Sequence, residues 1–235
     1  MDSLCALGAG AGAAAVLGLG KKSASDAALN LALETAPCAP AIEIYTGVLY
    51  DNLDAATLCA DARGRLNEGT WISSALFGFV RPSDRIPTHR LAMGVALPPL
   101  GSMSAWWRPR LAATLPTLAG VTIVDCRSGA YRTAFPAAAA NVLEIAVVEE
   151  RAAGRKVITH MAKKWRGLAV RHLVEDRSLD DHANATDVVA SLSRLTSRPE
   201  ILALEVTEPR GTRAGGTITT LTLVTASTEP HLRAE

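Results

Sequence analysis

The sequence predicts an α+β fold in a single domain, 1–235, with a mixed curved sheet flanked by helices. Two observations carry that reading. Segments with strand character alternate only irregularly with helical ones, whereas a doubly wound parallel sheet needs regular strand–helix alternation. The 235 residues are also enough to bury a substantial core within one domain, or two at most.

Taken in order, residues 1–22 are low in complexity and flexible or loosely helical. Ser23 or Ser25 can cap a helix that runs to about Ala36, before the turn between Pro37 and Pro40. Ala41 to Tyr50 reads as a strand and turn, Asp54 to Leu66 as a helix, and Thr70 to Ser74 as a short strand or strand-to-helix element. Pro82 moves Arg81 out of the helical region, so residues 80–84 form a turn. Ile86 to Leu97 looks extended, and Met103 to Leu115 looks helical despite Pro109.

Val121 to Asp125 reads as a buried strand followed by a helix starting at Ala130. Val142 to Glu149 and Lys156 to His160 read as a hairpin around Gly154. A basic helix follows, then a second helix over about Asp181 to Thr196. Strands Leu202 to Thr207 and Thr217 to Thr225 close the fold, and 226–235 is a flexible tail.

With 24 Lys plus Arg against 23 Asp plus Glu, the formal charge of +1 excludes a global basic field, so any polyanion site must be local. Cys5, Cys38, Cys59 and Cys126 lie too far apart for a zinc motif and read as reduced thiols. Asp2 and the lack of a basic leader argue against a signal peptide. No apolar run is long enough for a membrane span, which makes a cytoplasmic protein with no membrane partner the expectation.

Local charge concentrates from His160 to Arg177. As a helix, this stretch places Met161, Trp165, Leu168, Ala169 and His172 on one face and Val170, Leu173 and Val174 on the opposite one. Such a helix is packed on two sides. Lys164, Arg171 and Glu175 form a narrow charged stripe between them, a placement that suits the rim of a groove holding a polyanion.

Three other segments carry polar residues. Tyr45-Thr46-Gly47-Val48-Leu49-Tyr50 pairs phenols with a glycine that permits close approach, or forms a β-bulge with core tyrosines. The loop with Arg81, Arg85 and Arg90 resembles a phosphate-gripping surface, although Asp84 could pair with Arg85 or Arg90 and simply hold a turn. Ser128, between a strand and a helix, could hold an anion with the amides after it, or act as an N-cap.

The glycines of 8–20 match neither a Walker loop, since Ala15 and Lys22 occupy required positions, nor a dinucleotide fingerprint. No catalytic triad assembles from Ser128, His160 and Asp125. The loose set His172, Asp180, Asp181 and His182 has neither zinc-helix nor EF-hand spacing. The sequence therefore predicts no cofactor, no metal and no catalytic set.

Five motifs resemble, in order, those of the YaaA family of bacterial peroxide stress resistance proteins, over about residues 40 to 225. They are Ile44-Tyr45-Thr46-Gly47-Val48; Leu76 to Asp84 running into Thr88 to Gly94; Trp106-Trp107; Arg127-Ser128-Gly129-Ala130-Tyr131; and Ala162-Lys163-Lys164-Trp165-Arg166-Gly167. The resemblance implies the family's own α+β fold with a basic cleft, DNA as partner, a link to limiting free iron under peroxide stress, and no established reaction. Lys163, Lys164, Arg166, Arg171, Arg81, Arg90 and Arg127 would then bind duplex or branched DNA, with Ser128 and Tyr45 binding anions.

Some positions depart from the family pattern. Phe77 and His89 replace tyrosines, Ala92 and Ala130 replace glutamates, and the family's opening strand is not found, so the chain resembles a relative lacking that strand. Two alternatives remain: an enzyme or binder of a small phosphate-bearing ligand near Ser128, Arg81 and Lys164, and an iron binder using His172 and His182.

Overall fold

The computed structural model describes residues 1–115, 118–158, 161–180 and 182–227. The expectations placed on His160, Asp181 and the tail from 228 lie outside the described residues.

In chain order the elements begin with helices α1 (Asp2–Cys5) and α2 (Ala11–Val16), a 3-10 helix Lys21–Ala32, strand β1 (Cys38–Pro40), and helices α3 (Ala41–Ile44) and α4 (Val48–Leu53). A 3-10 turn at Ala55–Thr57 precedes helix α5 (Ala60–Gly69) and strands β2 (Ile72–Ser74), β3 (Gly78–Val80), β4 (Arg85–Pro87), β5 (Ala96–Leu97) and β6 (Gly101–Ser102). Helix α6 (Met103–Thr114), strand β7 (Thr122–Asp125), helix α7 (Gly129–Ala134), strands β8 (Asn141–Arg151) and β9 (Gly154–Val157), and helices α8 (Ala162–Glu175) and α9 (Ala185–Ser193) follow. A 3-10 turn Arg194–Ser197 and strands β10 (Ile201–Val206), β11 (Arg210–Gly211) and β12 (Thr217–Ala226) complete an α+β chain. Among the described residues no helix is long and apolar enough to cross a membrane.

The chain forms two compact units. The first comprises Met1–Tyr45, Gly64–Pro116 and Arg127–Pro136; the second comprises Thr46–Arg63, Thr117–Cys126 and Ala137–Glu235.

The first unit is built on short antiparallel ribbons, β1 with β4, β2 with β3 and β5 with β6. Its core holds Leu17, Met93, Leu97, Met103 and Leu111, with Trp106 and Trp107 packed against it. The Trp107 indole N–H donates to the Ala75 carbonyl at 2.7 Å, so a large side chain is packed and satisfied at once. Gly78 has φ +78, and a Cβ there would meet Leu111 and Trp107 at 3.0 Å. Backbone angle and packing both require glycine at that position.

The second unit centres on a sheet in the order β10-β12-β8-β7, with β12, β8 and β7 parallel and β10 antiparallel to β12. Strand β9 returns antiparallel on β8, forming the hairpin expected around Gly154. Alternation places Leu143, Ile145 and Val147 of β8 beside Thr219, Leu221 and Leu223 of β12. Ala162, Trp165 and Ala169 of α8 and Val188 and Leu192 of α9 share the apolar cluster with the leucine, isoleucine and valine positions of that row.

Several local expectations are corrected. Residues 41–50 are not a strand: pairing with β4 ends at Pro40 opposite Arg85, and the next two amides, of Ala41 and Ile42, donate to Asp84 and Pro82 carbonyls instead. Helix α3 begins there, and Gly47, at φ +106, starts α4. The helix expected over 54–66 is interrupted, because Asp54 adopts the left-handed conformation at the end of α4 and α5 starts only at Ala60. The extended run 86–97 is only two short strands. Strand β7 is half-exposed except at Asp125, since among the described residues it pairs on one side only, with β8.

The last helix starts at Ala185, four residues later than 181. Asn184 accepts from the Thr186 and Asp187 amides while Asp187 accepts from the Asn184 amide, a reciprocal capping box that fixes the start.

The C-terminal end of α8 is tied to α9 by Asp176. Its carboxylate accepts hydrogen bonds from Ser191 Oγ, Ser178 Oγ (2.7 Å) and the Ser178 amide (3.0 Å), and pairs with Arg194. Burial opposes ionisation, but the serine hydrogen bonds and Arg194 outweigh it and hold the carboxyl well below the usual carboxylate range. A depressed folded pKa means the tie contributes fully above the unfolded carboxyl value of about 4 and is lost as pH falls through the folded one. Asp176→Asn should lower stability by about 1–2 kcal/mol at pH 7. It should also flatten the acid limb of the unfolding midpoint measured between about pH 5 and pH 2; an unaltered acid limb would refute the assignment.

Candidate functional site

Helix α8 is the longest α-helix among the described residues and carries four of the basic side chains singled out from the sequence. Its apolar positions lie on two faces because both are covered. Trp165, 5% exposed, and Ala169 belong to the core cluster with β8 and β12, and Gly167 lies against α4. The side chains between these faces divide sharply in what they touch.

Arg166 is turned inward, its Nε and one terminal nitrogen donating to the Ile145 carbonyl at 3.1 and 3.0 Å. Arg171 sends one terminal nitrogen to the carbonyls of Leu53 (3.1 Å) and Asp54 (3.0 Å) and to Thr57 Oγ1 (2.9 Å); the other pairs with Glu175 at 2.9 Å. It thereby satisfies carbonyls left open where α4 ends. Arg171 and Glu175, two members of the expected charged stripe, are thus committed to holding α4 and to each other.

Lys163 and Lys164 differ. Lys163 is exposed and Lys164 half-buried, with its Nζ 4.7 Å from the Trp165 ring centroid. Among the described residues neither ammonium is in an ion pair. Both stand on the first turn of α8, where the helix dipole favours anions.

In the first unit, Arg81 donates to the carbonyls of Glu68 (2.7 Å) and Thr70 (3.4 Å) near the end of α5 and lies 4.9 Å over the Trp71 ring. Asp84 accepts from the Arg81 amide at 2.7 Å and so holds the turn. Arg90 pairs with Asp26 at 2.8 Å, not with Asp84. Arg127 donates to the Tyr131 carbonyl at 3.3 Å and lies 5.9 Å from the Phe79 ring. Ser128 is exposed at the N-cap position of the six-residue α7, without a capping bond from its hydroxyl.

Tyr45 donates to Ser74 Oγ at 2.7 Å, and burial pushes its phenol up to about 12 against the opposing Ser74 hydrogen bond. Burial also raises Tyr131. His89 is held edge-on by Tyr45 and Phe77, at 5.7 and 5.4 Å between ring centroids, and burial lowers its pKa. The buried Ser74 hydroxyl, accepting from the Leu76 and Phe77 amides, is the member of this cluster that the sequence did not reveal. The signal was two serines at the end of a strand, and nothing marked which of them would turn inward.

The model of the family described as peroxide stress protein YaaA matches residues 7–187. The chain belongs to this family. A UPF0246 protein of Streptomyces coelicolor is 44% identical over 161 residues, 68% of this chain and 62% of its own length. One from Corynebacterium glutamicum is 38% identical over 179 residues, covering 74% and 70%. The match thus spans less than two thirds of the Streptomyces relative.

Within this member of the YaaA family, the resembling motifs separate by task. Gly47, Gly78, Arg81, Arg166 and Gly167 meet backbone angles, close contacts or carbonyls, and Lys163 and Lys164 do not. For His172, proposed as an iron ligand, Nε2 lies 2.8 Å from the Ser191 carbonyl.

Proposed function

We propose that this YaaA-family chain acts in the cytoplasm during peroxide stress by binding DNA, duplex or branched, through phosphate contacts from Lys163 and Lys164. The carrying observation is the division of labour on α8: Arg166 and Arg171 are occupied by carbonyls of the protein, while both lysines are outside any ion pair among the described residues. Lysine is a flexible point charge suited to phosphate without base recognition, so this contact positions DNA and does not read sequence. The link to limiting free iron rests on the family resemblance.

Replacing both lysines by alanine should weaken DNA binding and reduce the slope of log K against log salt by about 1.8, two phosphate contacts at about 0.9 each. The measurement is a fluorescence-anisotropy titration at several salt concentrations, with folding checked by circular dichroism. Unchanged affinity and slope would sink the proposal.

A further inference from the structure

The division seen on α8, arginines held within the protein and lysines not, recurs on the β8–β9 hairpin. Strand β9 pairs with β8 alone among the described residues, and all four of its residues are exposed. Arg151, at the hairpin turn, pairs with Glu149 at 2.9 Å, and Arg155 pairs with Glu150 at 2.9 Å and with Glu205 at 2.8 Å. Lys156, next in sequence, makes no ion pair and no side-chain hydrogen bond among the described residues.

Register places Lys156 on the α8 side of the sheet. Its partner on β8 is Glu149, and paired residues project to the same side. Glu149 follows Leu143, Ile145 and Val147 in alternation, the positions that share a core cluster with Trp165 of α8. The lysines of both elements also stand along one edge of β8. Arg166, two residues after Lys164, reaches the Ile145 carbonyl. Ile158, two residues after Lys156, donates its amide to the Val147 carbonyl at 3.4 Å. Carbonyls two residues apart in a strand point to the same edge.

We infer that Lys156 makes a third phosphate contact, a role that rests on the DNA reading of Lys163 and Lys164. The DNA-binding surface then runs from the first turn of α8 onto β9, along the outer edge of β8. Lys163 and Lys164 are neighbours on one helical turn and fix only a point on a nucleic-acid backbone; a third cation on a separate strand fixes its direction. Like them, Lys156 would hold phosphate without reading bases. The competing role is protective, since exposed edge strands carry lysine to block pairing with another chain.

Fluorescence-anisotropy titrations at several salt concentrations separate the two, comparing the parent chain with Lys156→Gln, Lys156→Arg, Arg213→Gln and the Lys163→Ala, Lys164→Ala double variant. Arg213 is exposed, has no ion pair among the described residues, and precedes the opposite, amino end of β12, so its loss removes charge without removing contact. Lys156→Gln should lower the slope of log K against log salt by about 0.9, while Lys156→Arg and Arg213→Gln should keep it. A parental slope in Lys156→Gln beside a reduced slope in the double variant would overturn this contact and leave the DNA reading standing. A parental slope in both would overturn the two together. Equal losses in Lys156→Gln and Arg213→Gln would also overturn the contact, because net charge then accounts for both. A protective role alone predicts a parental slope and self-association of Lys156→Gln, read as a rise in mass by light scattering.

Discussion

Replacing Gly167 by alanine should destabilise the second unit by on the order of 3 kcal/mol or more, although helix propensity alone predicts the opposite. Gly167 sits within α8, and glycine in a helix interior is worse than alanine by about 0.5–1 kcal/mol. A Cβ at this position, however, would lie 2.2 Å from the Leu49 carbonyl oxygen and 3.0 Å from the Leu53 amide nitrogen. Both are backbone atoms of α4, so the contact is relieved only if the helices separate. Separation would also strain the Arg171 bonds to the Leu53 and Asp54 carbonyls. Packing therefore outweighs propensity several-fold. Thermal unfolding should fall by roughly 6–12 °C, given about 2–4 °C per kcal/mol for a chain of this length. Gly64→Ala is the control: that glycine is also helical, with nothing within 4 Å of the added methyl, and should be neutral or slightly stabilising. An unchanged or raised midpoint for Gly167→Ala would refute the close approach of α4 and α8.

Gly167 also marks the limit of what could be read from the sequence. The run His160 to Arg177 stands out as basic, and its Lys163, Lys164 and Arg166 read together as binding DNA, with Gly167 only part of a family-resembling motif. The amphipathic period correctly gave a helix buried on two sides. It could not say that the arginine turns to a strand or that the glycine meets another helix, because both depend on partners far away in sequence. Length decided where strand and helix assignments succeeded. Strands β8 and β12 were legible because alternation over eight or more residues fits little besides a strand with one face in the core. Residues 41–45 also alternate, but over a stretch too short to resist tertiary partners, and the Asp84 and Pro82 carbonyls drew their amides into a helical turn. In the first unit the arginines at 81 and 90 were legible as important, but their partners inside the protein were not. Their partners are two carbonyls and one aspartate that no spacing rule announces.

Arg166→Ala should be the most damaging change among the basic residues of α8, and its effect should appear in stability before it appears in binding. On its outer edge β8 pairs with β7 at residues 141–144 and with β9 at residues 148–151, leaving residues 145–147 between the two. The Arg166 guanidinium donates twice to the Ile145 carbonyl in that interval, standing in for a missing strand. Removing it strands a carbonyl of a strand whose Ile145 side chain is 1% exposed, at a cost of about 1–3 kcal/mol, to which lost packing of the arginine stem adds. Lysine is no substitute, since a single ammonium cannot reproduce the planar fork, so Arg166→Lys should recover only part of the loss. Denaturant unfolding measures this directly, and amide exchange of the 145–147 segment should rise in both variants. Arg166 acting on DNA alone predicts the reverse pattern, with stability unchanged and the salt slope reduced by about 0.9. The two measurements on one variant thus separate a residue that completes the sheet from one that grips a phosphate.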